Sequence, residues 1–501
     1  MYNLKSIEGF DRLLQLIQQQ NGSKQSQSPP DTNTECQSQS QSQSQNTTNV
    51  DDEIEKILNP LKLTMKPWKT ATGMYFIITY DKRGMGVTYE DYKTIGMLRS
   101  VVVNEEGQIV CYSPPKSLYV TEELERHFDA NNIMTELSEE NTNEWYAEEF
   151  VEGTMINLFY SSGPSGEAWE IATKNTIGGN ALFYSPKNPK EEIEIRESDT
   201  FRNMFFDTCA KIGFEYENLP KDVVYSFVLQ HPKNRIVLPI TEASIYLVAV
   251  YRVVNTDDGK LEVIQHSRDG FLKNIMKCDK IKTPKTLSLN EGGGAGSDYT
   301  FKNFKKEYAS MNSAYNMMGV MFYNMVTGER MKLRNPMYEM VKNVRGSEQK
   351  IQLQYLTLRH GGRVADYLKD FPEYKSVFSY HRSQVHSFTR NLHQNYLDCF
   401  VFKKKPFAEY PPQYKKHMFV LNKKYIEELR ENKNSVTFNY VVEFINRLDP
   451  GSLLFSLNYV VKEHKKEIQR LEEPIASDGA CDGACDGACE GVSVETSSTP
   501  Q

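Results

Sequence analysis

Between Lys116 and Lys174 the chain contains no lysine, so this stretch offers no amine to act as a nucleophile. Basic charge is also scarce overall. With 59 Lys+Arg against 66 Asp+Glu, the net charge is -7 and the pI about 5.9. That balance excludes binding nucleic acid by bulk electrostatics, so any such contact must be a local patch. No run approaches the roughly 20 apolar residues that span a bilayer, and the start of the chain lacks a basic region followed by an apolar one. Cys36, Cys111, Cys209, Cys278 and Cys399 are too scattered for a disulfide framework or paired metal knuckles, which points to a reducing compartment. We therefore expect a soluble, cytoplasmic protein with no membrane partner.

What is present falls into five segments. Over residues 1–21, Leu4, Ile7, Phe10, Leu13, Leu14 and Ile17 recur at helical spacing, which predicts an amphipathic helix docked on its own domain or on a partner. Residues 22–50 are Gln, Ser, Asn and Thr, with too few apolar side chains to offset the entropy of ordering, and read as a disordered linker. Residues 51–348 carry short β-branched and aromatic runs, among them Met74 to Thr79, Met155 to Tyr160 and Val223 to Gln230, separated by turn residues such as Asn104 and Gly107. Thr200 to Ile212 reads as a helix within them. The pattern predicts an α+β domain on antiparallel sheet. Residues 349–472 read as an all-helical domain. Residues 473–501 repeat Asp-Gly-Ala-Cys, with thiols at Cys481, Cys485 and Cys489; three thiolates suit a soft metal, but a Gly-rich tail offers nothing to hold them, and a disordered repeat fits better.

Several segments of the sheet domain, read in order, resemble one family. Arg99-Ser100-Val101-Val102, then Gly107 and Ser113-Pro114-Pro115-Lys116, is similar to its "RG" strand, hairpin and "RPMEKF" loop. Phe150 to Thr154 followed by Met155 to Tyr160 resembles a K-x-D-G-S turn and its strand, and Ala172 to Ile177 resembles "KSKGSI". Tyr225 to Val237, ending in SFVLQHPKNRIV, is similar to "FEFVAPTNRIV" and identical over Asn234-Arg235-Ile236-Val237. Met318 to Met321 and Met331 to Arg334 resemble "EGYV" and "FKIK". The family is the phage-type RNA ligases, the tRNA-repair ligases of T-even phages. The layout is also similar to uncharacterised ligase-like proteins of large DNA viruses, for which the compartment would be the host cytoplasm.

The resemblance implies a nucleotidyltransferase domain in which a lysine takes AMP from ATP and passes it to an RNA 5′-phosphate. Here the lysine position is Phe150, which cannot do that chemistry. The two partner glutamates fall at Val228 and Met318, and hard Mg²⁺ wants oxygen ligands that these side chains do not offer. The basic positions persist: Arg99, Lys116, Lys174, Lys332 and Arg334. With Glu152, which keeps the signature's carboxylate or simply shares a turn with Gly153, they form the expected nucleotide- and phosphate-binding set. His231 is a tempting general base, though a lone histidine is more often structural.

Three readings follow. The first is an RNA-ligase-like protein without lysine adenylylation that binds nucleotide such as ATP, RNA ends or a protein partner. The second is an active ATP- and Mg²⁺-dependent ligase whose nucleophile has moved to Lys174 or Lys116. The third is a structural or virion interaction protein keeping only the fold. In the helical domain, nine Lys/Arg against four acidic residues between Lys403 and Lys433 interleave with Phe407, Tyr410, Tyr414, Phe419 and Tyr425. That mixture suits RNA, or an ordinary solvated helix pair.

Overall fold

The structure, a computed structural model, describes residues 2–25, 50–81, 94–119, 122, 145–181, 200–255, 261–287, 301–324, 327–346, 348, 350–461, 463 and 464. Most of the expected linker and the whole Asp-Gly-Ala-Cys tail lie outside them. The chain is mixed α+β and divides into two compact units, Met1–Ser376 and Val377–Gln501.

The first unit holds fourteen described strands: β1 (Tyr2–Asn3), β2 (Leu63–Lys69), β3 (Met74–Tyr80), β4 (Val101–Asn104), β5 (Ile109–Tyr112), β6 (Leu118–Tyr119), β7 (Trp145–Glu149), β8 (Thr154–Gly163), β9 (Gly166–Ala172), β10 (Val224–Gln230), β11 (Ser244–Asn255), β12 (Leu261–Gln265), β13 (Gly319–Asn324) and β14 (Arg330–Arg334). They form three sheets, ordered β1-β12-β11-β10-β8-β9, β6-β14-β13-β7 and β2-β3-β4-β5. Every pairing of named strands is antiparallel except β6 with β14. The helix Phe201–Ile212 has the ends its sequence calls for. The Thr200 hydroxyl accepts from Asn203 N at 3.3 Å, and Gly213 closes it in the left-handed region at φ 72°.

Two expectations change. The N-terminal segment is not a helix throughout: Tyr2 and Asn3 pair with Val263 and Glu262 of β12, and the α-helix runs Phe10–Gln25. Its apolar stripe, with Leu4 and Ile7, is buried against Ile77, Val102 and Tyr112, so it docks on its own unit. The Tyr2 hydroxyl donates to Gly328 O at 2.5 Å, tying this strand to the β13–β14 turn. The second change concerns residues 351–374, assigned from their periodicity to the helical domain. Their helices Ile351–His360 and Val364–Asp370 fall within the first unit. One cause is Arg235, whose guanidinium donates to Glu373 at 2.8 and 2.9 Å and to Asp370 O at 2.9 Å while lying over the Phe371 ring. Periodicity reports a helix but not which core it joins.

The second unit is helical where described, with Lys375–Tyr396 crossing into it, then Pro412–Lys424, Phe438–Arg447 and Pro450–Leu457. Among the described residues no helix is long and apolar enough to cross a membrane.

Candidate functional site

The sheet β6-β14-β13-β7 has two different faces, because successive side chains on a strand point to opposite sides. One face places Trp145, Ala147, Val320, Phe322 and Met331 in an apolar core with Phe304. The registers Tyr323↔Tyr146, Met321↔Glu148, Tyr323↔Arg330, Met321↔Lys332 and Lys332↔Tyr119 fix the other. It therefore carries Tyr146, Glu148, Met321, Tyr323, Arg330, Lys332 and Tyr119, and at its end Arg334 beside Phe150. This second face is where the expected basic residues gather.

Strand β14 delivers Lys332 and Arg334, and separate local devices deliver the rest. Lys174 occupies a tight turn closed by Thr173 N to Thr176 O at 2.8 Å, directly after β9. Lys116 lies on a segment folded back on 94–100, with Lys116 N donating to Gly96 O at 3.0 Å and Ser113 N to Ser100 O at 3.1 Å. Arg99 follows the short 3-10 helix Ile95–Leu98. The ammonium groups of Lys174 and Lys116 lie 4.3 and 5.3 Å from the centroid of one ring, Tyr80. Lys332 Nζ lies 4.0 Å from the Tyr119 ring and donates to Ser117 O and Oγ at 3.0 and 3.1 Å. The Arg334 guanidinium is 5.4 Å from the Phe150 ring and pairs with Glu339. An aromatic face attracts a cation without cancelling its charge, so such a cluster keeps its attraction for an anion.

The electrostatics show how close these groups are. Burial, then Arg334, Arg99, Lys116 and Arg330, push the Lys332 amine down to about 7. At neutral pH a large share of this lysine is uncharged. A bound anion favours the ammonium form, so binding takes up a proton. Affinity for sulfate, which does not itself titrate in this range, is expected to be highest below pH 7 and to fall as pH rises through it. Lys332→Arg, which stays charged, should flatten that dependence in calorimetric titrations at several pH values.

Glu152 is placed differently. It is 3% exposed, and its carboxylate accepts from Val237 N at 3.1 Å and Leu238 N at 3.1 and 3.2 Å. Burial, then Glu152, push the Tyr338 phenol up, which fits a hydrogen bond between the two. Glu152 thus latches the turn onto the Asn-Arg-Ile-Val segment, its oxygens engaged by backbone amides. Gly153, at φ 152°, permits the crossing: a Cβ there would stand 2.5 Å from Leu229 O. His231 caps a short 3-10 turn, its Nδ1 accepting from Lys233 N at 3.2 Å.

At the carboxylate positions, Val228 is buried with Val151 and Val248, and Met318 offers a thioether. These residues do not fit Mg²⁺. Among the described residues no three His, Cys, Asp or Glu side chains come together as a metal site. A cleft of about 530 Å³ lies elsewhere, beside Glu105, Glu106 and Asn104, and its acidic lining does not suit phosphate.

The sequence signals did not single out Tyr80 and Tyr119, since aromatic residues in strands read as core, nor Arg330, which falls outside the motif positions. They also missed Arg268, whose guanidinium grips the buried Glu148 carboxylate, with Nη1 at 3.0 Å from Oε2. In the second unit, Tyr410 and Tyr414 of the basic stripe are core residues, whereas Phe419 is 62% exposed between exposed Lys416 and Lys423.

Comparison with known proteins gives three likenesses. The chain is 31% identical over 117 residues to an RNA ligase of Rhodothermus phage RM378. The likeness is local. It covers 23% of this chain and spans about a quarter of the phage ligase, 24% of its length. A second, longer likeness is to an immediate-early protein ICP-46 homolog of Invertebrate iridescent virus 6, 24% identical over 375 residues, covering 69% of this chain and 75% of that protein. A mutant RNA ligase of Naegleria gruberi, solved with ATP and Mn, overlays 58% of this chain and 81% of its own at 10% identity and a TM-score of 0.28, too loosely to carry an argument. No family model matches the chain. The chain thus has weak homology to a phage RNA ligase and to a viral protein.

Proposed function

We propose that this is an RNA-ligase-like protein that has lost lysine adenylylation and uses its basic cluster to hold the phosphates of a nucleotide such as ATP or of an RNA end. The observation that carries the reading is the contrast on one sheet face. Phe150 stands where the resemblance puts a nucleophile, with Arg334 over its ring, while Arg99, Lys116 and Arg334, far apart in sequence, lie close enough to Lys332 to depress its amine, and Lys174 joins Lys116 over Tyr80. A phenyl ring forms no phosphoramidate, yet four or five cations still attract phosphate. Glu152 stands outside this set because its oxygens are engaged by backbone.

The relocated-nucleophile reading rests on Lys174 and Lys116 meeting over Tyr80. Apolar Val228 and Met318 count against it, because a moved lysine still needs metal and ribose ligands.

The test is binding of ATP and of a 5′-phosphorylated RNA by the full chain. In the variant carrying both Lys332→Ala and Arg334→Ala, affinity should fall by about 100-fold or more, since charge-assisted contacts contribute roughly 1.5–3 kcal/mol each. Affinity should also weaken steeply with salt in the wild type. Unchanged affinity in the double variant would move the site elsewhere.

A further inference from the structure

Tyr119 differs from the other aromatic rings on the basic face. Tyr146 and Tyr323 are buried and stacked on each other at 5.5 Å and 17°, Tyr80 is buried under Lys116 and Lys174, and Phe150 is half-buried. Tyr119 is 53% exposed. It lies on β6, at the margin of the sheet beside β14 and in register with Lys332. Its neighbour Leu118 turns to the opposite face and packs on the apolar core, which fixes the direction of the tyrosine. The ring is steadied by the Lys332 ammonium at 4.0 Å, and Lys332 is itself anchored on Ser117 O and Oγ. A large apolar surface held still beside a group of cations loses little freedom on receiving a flat ligand.

We propose that Tyr119 is a stacking platform for a nucleobase, so that the ligand is a single-stranded nucleotide or oligonucleotide with its base on this ring and an adjacent phosphate on Lys332 and Arg334. The inference rests on the anion-site reading above and narrows its ligand. Charge complementarity selects the occupant: the platform lies against Lys332, which in turn feels Arg334, Arg99, Lys116 and Arg330, so what stacks there must carry negative charge within a few bonds of a flat ring. A nucleotide combines the two. A base inside a duplex has both faces covered, whereas an unpaired one can lie on tyrosine whatever its identity.

The experiment compares two probes on the full chain: a short 5′-phosphorylated oligonucleotide and inorganic tripolyphosphate, which has charge but no base. Tyr119→Ala should weaken the oligonucleotide by about ten-fold, within the range of one lost stacking contact, and leave tripolyphosphate unchanged. Tyr119→Phe should behave as wild type, because stacking uses the ring and not the hydroxyl. An unaltered oligonucleotide affinity in Tyr119→Ala overturns the platform while leaving the anion site in place. Equal losses for both probes overturn it too, since Tyr119 would then serve only to support Lys332. If the wild type binds neither probe, the anion site itself fails and this inference falls with it.

Discussion

Replacing Arg268 with alanine is expected to destabilise the first unit by about 3–5 kcal/mol. Glu148 is 1% exposed, and Arg268 meets both of its carboxylate oxygens. A carboxylate this deeply buried has been removed from water, and the Arg268 guanidinium compensates it. Deleting the partner leaves that charge buried and alone. Arg268→Lys should recover only part of the loss, because an ammonium cannot reproduce two parallel bonds. Changing both residues to apolar side chains of similar size should cost far less than Arg268→Ala, since the penalty belongs to the unpaired charge and not to the missing pair. All three tryptophans, Trp68, Trp145 and Trp169, lie in the first unit, so urea unfolding followed by tryptophan fluorescence reads this unit. A shift below about 1 kcal/mol for Arg268→Ala, the size of an exposed pair, would mean the carboxylate is solvated after all.

The second large effect concerns Glu152. Glu152→Ala should cost about 2–4 kcal/mol, because the buried Val237 amide and the half-buried Leu238 amide lose a charged acceptor. Glu152→Gln keeps one acceptor oxygen and should cost clearly less. Were Glu152 a ligand-binding residue, the alanine variant would instead keep wild-type stability and lose affinity. Measuring both on the same protein separates a latch from a contact.

Much of the scaffold is legible in the sequence because its signals are local. Short β-branched and aromatic runs mark β3, β8 and β10, and Thr200 with Gly213 marks the ends of one helix. Basic residues of the site are legible only as a set of motif positions. Nothing in the spacing of Lys116 and Lys174 says that both lie against the Tyr80 ring. That meeting is made by a turn after β9 and by a segment folded over Gly96. The strand Tyr2–Asn3 is too short to carry a period, and pairing with β12 lies in tertiary structure. Helices at 351–374 look like their helical neighbours in sequence, while Arg235, more than a hundred residues earlier, ties them to the sheet unit. Glu152 shows the limit of motif reading. The residue type is kept, but its oxygens hold backbone amides.

The central claim is that lysine adenylylation has been lost from a face that still attracts phosphate. It is tested most directly by incubating the full chain with ATP labelled on the α-phosphate, in Mg²⁺ or Mn²⁺, and separating the products under denaturing conditions. No label is expected on the protein in wild type, Lys174→Ala or Lys116→Ala. A covalent AMP band in the wild type that disappears in one of these variants would contradict it and identify the lysine that took over from position 150.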